Sequence, residues 1–227
     1  MGVSVQLFPF DNIKFYQKIV PELRKGLKSD FLRREFLTYQ KSYSFFESPP
    51  NIDILDNFDK ISDAEFKYHL DSINIQNKFS ISWYEETARF FEFLIGHQCL
   101  DSSLFYSIGR YYPDLFFDKT LQKSIASDVI RKLSDRKVFW THNGGGWNEG
   151  IRAWVSNEDV ELLLLDLPSL KINETLTSKE LDDFILFLKI LKSSNKGILC
   201  GADLILKIPP YKTKTPYGLQ SYRDNSD

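Results

Sequence analysis

Residues 177–208 place a capped helical pattern directly before an almost unbroken apolar run, and any fold for this chain has to bury both. Thr177-Ser178-Lys179-Glu180 has the form of a capping box, in which hydroxyl and carboxylate each satisfy an orphan backbone N–H. Leu181, Phe184, Ile185, Leu188 and Leu191 then recur at helical spacing, which predicts one apolar stripe. Ser193-Ser194-Asn195-Lys196-Gly197 ends the pattern, and ILCGADLILKI (198–208) reads as a strand bulged at Gly201. A helix and an apolar strand side by side require a core of helices on a sheet.

The same grammar recurs along the chain. MGVSVQLFPF predicts a first strand, and Asp11 caps a helix through IKFYQKIVPELRKGL that Pro21 bends or restarts. A second helix is predicted over 30–39, and Pro49-Pro50 breaks the regularity of SPPNIDILDNFD. Ser82-Trp83-Tyr84-Glu85 is another capping box; Trp83, Thr87, Phe90 and Leu94 follow at helical steps, with Gly96 as the stop. The aromatics of this helix, Phe91 and Phe93 among them, read as core rather than as a cofactor box. Leu121, Ile125, Val129 and Leu133 predict a helix over 118–133, and RKVFWTH turns strand-like.

Gly150-Ile151-Arg152-Ala153-Trp154-Val155 alternates as a strand, and Ser156 with Asp159 caps a helix through Leu165. Its run 162–165 is apolar all round, which predicts burial on more than one side. No repeat or linker interrupts 1–208, while the polar segment 209–227 is expected to be a flexible C-terminal tail. The fold class expected is therefore α+β: a single domain over 1–208, with several helices packed on a small mixed or antiparallel sheet.

Composition narrows function mainly by exclusion. An apolar fraction of 42% with 19 Phe and 11 Tyr excludes a wholly disordered chain. With 29 basic against 31 acidic residues no global field attracts nucleic acid or an anionic membrane, so neither is expected as a partner. The charges are segregated, however. Lys14, Lys18, Arg24, Lys25, Lys28, Arg33 and Arg34 precede Glu47, Asp53, Asp56, Asp59, Asp63 and Glu65, as two helical faces that attract each other or face water, or as a partner-binding patch. Cys99 and Cys200 are too few for a disulfide framework, and Cys200 in an apolar run reads as buried. With no signal segment and no spanning run, the cytoplasm is the expected location.

FWTHNGGGWNEG (139–150) is the candidate site. Three consecutive glycines there cost much backbone entropy to order, which predicts a sharp turn, a flap, or backbone closely approaching something else. Trp147 and Asn148 stand where a phosphate loop needs Lys and a hydroxyl, and a strand-like segment follows where a dinucleotide fingerprint needs a helix. What remains is a connection or flap carrying Trp140, His142, Asn143, Trp147, Glu149 and Arg152, with Trp154 on the strand that follows. Its tryptophans either pack back on the core or, with Arg152, anchor a ligand or partner.

Catalytic signals are sparse. His69, His97 and His142 are scattered, without H-E-x-x-H or C-x-x-C, so neither a metal nor a cofactor is expected. His142 and Glu149 form an acid–base pair only if a turn brings them together. Ser193 and Lys196 match S-x-x-K but lie at a helix end, where a lysine complements the dipole.

Three stretches, the opening Met1-Gly2, the glycine run leading to Arg152-Ala153-Trp154-Val155-Ser156-Asn157-Glu158-Asp159-Val160, and Lys192-Ser193-Ser194-Asn195-Lys196-Gly197-Ile198-Leu199, resemble the YfbM-like family of uncharacterised bacterial proteins. The resemblance covers the first residues and about the last third of the chain, and residues 29–135 depart from it. It implies an α+β bacterial protein and transfers no catalytic residue. The function expected is a binding or interaction protein, immunity- or regulator-like, that engages a protein partner or small-molecule ligand through the Trp/Gly-rich loop. The alternative is a small hydrolase or transferase with an acid–base site around His142 and Glu149.

Overall fold

A computed structural model describes residues 5–42, 50–60, 85–109, 124–135, 150–170, 177–202 and 218–221. Its sheet contains β1 (Val5–Phe10), β2 (Leu104–Gly109), β3 (Gly150–Val155), β4 (Gly197–Ala202) and β5 (Gly218–Ser221), in the order β3-β4-β1-β2-β5. Every adjacent pair is antiparallel.

The described helices are α1 (Asn12–Lys14), α2 (Val20–Leu23), α3 (Asp30–Gln40), α4 (Asp56–Lys60), α5 (Glu85–Cys99), α6 (Ile125–Asp135), α7 (Asn157–Asp166) and α8 (Ser178–Ser193). They cover both faces of the sheet. On one face Phe8, Phe10, Phe105, Trp154 and Leu199 meet Phe15, Leu32, Phe36, Phe90 and Phe91 from α1 to α5 and their connections. On the other, Val5, Leu7, Tyr106, Val155, Ile198 and Cys200 meet Val129, Leu133, Val160, Leu163, Phe184 and Leu188 from α6, α7 and α8. The class is α+β, as the patterning predicts. None of the described helices is long and apolar enough to cross a membrane.

Burial on both faces explains why β1 reads VQLFPF, with all six residues buried rather than half of them. Proline in a central strand normally removes a ladder bond. Pro9 escapes that cost: its carbonyl accepts from the Asp101 N–H on the β2 side, so its missing N–H faces the same way, beyond the last β1–β2 pair at Leu7. Proline also shapes the first helical run. Pro21 has no N–H for the Gln17 carbonyl, and its ring would clash there in a regular helix. A wider π-helical turn, Phe15–Ile19, closed by Val20 N–H to the Phe15 carbonyl, precedes it.

Three of the predicted capping signals are reproduced, while the cap at Ser82 lies outside the described residues. The side chain of Asp11 accepts from Lys14 N–H, and capping boxes stand at Ser156/Asp159 and Thr177/Glu180. Helix α8 ends where Asn195 adopts φ 54°, with Lys196 N–H bonded to the Leu191 carbonyl and Asn195 N–H to that of Lys192. The stop is therefore Asn195, and Gly197 already belongs to β4.

Several expectations are corrected. Helix α5 runs through Gly96 to Cys99 because Leu94, Ile95 and Cys99 are buried around it, and their packing offsets a glycine penalty of about 1 kcal/mol. Residues 52–60, expected to be irregular, form a 3-10 turn (Ile52–Leu55) and α4, started by Asn51 accepting from Asp53 N–H. Strand β2 was not predicted. Gly218–Ser221, within the segment expected to be a flexible tail, is β5, paired with β2 from Leu104↔Ser221 to Ser107↔Gly218.

The bulge is opposite Gly201 rather than in its strand. Ile151 faces Gly201 and Ala153 faces Cys200, which leaves Arg152 as the extra residue in β3. Finally, α7 is not buried all round, since Leu163 is buried while Leu162 and Leu165 are exposed.

Candidate functional site

Of the predicted site residues, Trp140, His142, Asn143, Trp147 and Glu149 lie outside the described residues. Gly150, the first described residue after them, has a φ of +100°, which suits glycine and strains any other residue. From there the chain enters β3, an edge strand of the sheet among the described residues.

Arg152 and Trp154 lie two positions apart on β3 but in different surroundings. The Nε and Nη2 of Arg152 are buried, and its charge acts on Cys200, which packs on the α6–α8 face. Trp154 packs on the opposite face and is 2% exposed. Its ring centroid lies 6.2 Å from that of Phe10 and 5.6 Å from that of Phe15, and its indole N–H donates to the Tyr16 hydroxyl at 2.9 Å. Tyr16, its hydrogen-bond partner, is 37% exposed.

A second polar group gathers where β1 and β3 end and β4 begins. The Asn12 amide donates to Asn157 Oδ1 at 2.8 Å, and the Asn157 amide donates to Asn195 Oδ1 at 2.6 Å. The start of α1, the start of α7 and the end of α8 are thereby tied together. Lys196 pairs with Asp11, and Lys14 Nζ donates to Gln98 Oε1 at 3.0 Å. Burial alone would raise the Asp11 pKa, but the Lys196 hydrogen bond, the Lys14 N–H and both lysine charges outweigh it and hold the carboxyl below its ordinary range.

A carboxyl depressed by folding stabilises above its unfolded pKa, about 3.9, and that contribution disappears as pH falls through the folded value. Lys196→Met should therefore lose about 1 kcal/mol against the wild type at pH 7, with the gap closing below about pH 4. Urea denaturation of both proteins across that range checks it. A gap independent of pH would mean the loss is one of packing alone.

The described residues contain one histidine, His97 on α5, whose Nδ1 lies 2.7 Å from Glu35 Oε2 on α3 and whose side chain is half exposed. Neither thiol is a nucleophile near neutral pH. Burial pushes Cys99 and Cys200 each up to about 12, only partly offset by Lys14 near the first and Arg152 near the second. Among the described residues, no three His, Cys, Asp or Glu side chains gather to hold a metal ion.

No protein-family model, curated protein or solved structure matches the chain. Sequence reasoning missed Tyr16, the Asn12–Asn157–Asn195 ladder and the His97–Glu35 pair. Each joins residues remote in the chain, up to 145 positions apart for Asn12 and Asn157, so no spacing rule could have found them.

Proposed function

We propose that the chain is a bacterial, cytoplasmic binding or interaction protein of the immunity or regulatory kind, which engages a protein or small ligand through its Trp/Gly-rich segment. The carrying observation is that this segment runs in sequence directly into β3, which among the described residues is an edge strand of a sheet buried on both faces. A strand that forms a sheet edge among the described residues, preceded in sequence by three glycines and two tryptophans, brings ladder hydrogen-bonding groups and aromatic side chains into one short stretch, the pairing that recurs in recognition surfaces. The resemblance to YfbM-like proteins agrees with a bacterial source.

The test is capture on the immobilised chain from its native cell extract, with proteins and metabolites identified by mass spectrometry. Affinity of the recovered partner or ligand is then compared for the wild type and Trp147→Ala, beside the urea midpoint of each. The reading expects at least a tenfold loss of affinity at an unchanged midpoint. Full affinity in Trp147→Ala, or a loss accounted for by a collapsed midpoint, overturns it.

A further inference from the structure

We infer that the chain associates with further copies of itself head to tail, the outer face of α3 in one copy docking on the outer face of α7 in the next. This rests on residues distinct from the Trp/Gly-rich segment and stands or falls independently of the proposed function.

Helix α7, NEDVELLLLD, carries four acidic residues and no basic one. Leu165 is 74% exposed and Leu162 40% exposed, on the face they share with the exposed Glu158 and Glu161. Ile125, 53% exposed, starts α6 beside the end of α7, where Ala126 N–H donates to Asp166 Oδ2 at 2.9 Å. The patch is apolar at its centre and acidic at its edge.

Helix α3 presents the complement. Its buried stripe is Leu32, Phe36 and Tyr39, and its outward face carries Arg33, Arg34 and Leu37, with Lys41 just past its end. Leu37 is 52% exposed among these cations. Asp30 pairs with Arg33 on the same face, and Arg34 and Lys41 leave it net positive. The remaining N-terminal basic residues are partly used within the chain. Lys28 lies 3.5 Å from Asp59, and Arg24 Nη1 donates to the Phe58 carbonyl at 3.1 Å. With 11 residues in α3 and 10 in α7, both helices are roughly 15 Å long, so one leucine-centred face spans the other.

The location of the two faces decides the geometry of assembly. Helix α3 packs on one side of the sheet and α7 on the other, so a two-fold dimer cannot engage both pairs of faces at once. Each contact instead leaves one acidic and one basic face open, and association continues. A helix-on-helix contact buries less than the roughly 800 Å² per partner of a standard interface, so the association is weak and salt-sensitive.

Sedimentation velocity on the full chain, from micromolar to about 1 mM, tests this at low salt and at about 0.5 M salt. The mean sedimentation coefficient should rise with concentration without a plateau at the dimer, and the rise should shrink in high salt. Leu165→Glu and Arg34→Glu, both surface changes whose thermal unfolding should match the wild type, should each be monomeric alone. Mixed in equal amounts they should form a dimer and nothing larger, because one intact α7 face then meets one intact α3 face. A wild type monomeric throughout, a Leu165→Glu variant that still associates, or a mixture that stays monomeric overturns the proposal. Monomeric wild type would leave the α7 face to a partner of another kind.

Discussion

Gly197→Ala should remove about 3 kcal/mol or more of stability, the upper range for forcing atoms into a filled core. A Cβ at this position would stand 2.1 Å from the Val155 carbonyl oxygen, and 3.1 Å from both Asn12 Oδ1 and the carbonyl carbon of Ser156. The nearest of these is backbone, so no side-chain rotation relieves the overlap. Val155 is held by pairing with Ile198, and Ser156 caps α7, so displacement of either loosens the β3–β4 ladder or the start of a helix. Urea denaturation gives the loss directly, and a difference below 1 kcal/mol would show that the two backbones do not approach so closely.

Trp154→Ala should cost about 3–5 kcal/mol, the range for deleting a buried large aromatic. Its ring fills the space between Phe10, Phe15 and the sheet, and α1 has few residues of its own to close the cavity. Tyr16→Phe removes the acceptor of the indole N–H and should cost about 1 kcal/mol. Chemical denaturation of the two variants and of the double variant separates ring packing from the hydrogen bond. A loss under 1 kcal/mol for Trp154→Ala would mean the side chain is not part of the core.

The elements read correctly from sequence are those whose cause is local. Ser156 with Asp159, and Thr177 with Glu180, meet within one turn, so α7 and α8 start where their capping boxes predict. The failures share a different cause. Gly96 stops a helix only when nothing beyond it is buried, and Cys99 is. Strand β5 depends on β2, which lies more than 100 positions earlier. The apolar run in α7 looked like a buried cylinder, yet which of four successive leucines faces outward depends on where α6 and α8 pack. At the candidate site, β3 and its two predicted residues were legible from alternation. That Arg152 is the bulged residue and Trp154 a core side chain was not, because both follow from pairing with β4.

The central position of β1 governs how this chain can be made. Val5–Phe10 leaves the ribosome well before its full-length partner, Gly197–Ala202, the two pairing from Val5↔Ala202 to Phe10↔Gly197. At about 5–20 residues per second, roughly 10–40 s of synthesis separate them. For that interval VQLFPF, apolar in five of its six positions, has neither its β4 neighbour nor the helices that cover the α6–α8 face. Folding is therefore late and slow, as long-range pairing dictates. A nascent chain released before Gly197 exposes this largely apolar strand unpaired with β4, the kind of substrate on which chaperones and aggregation compete.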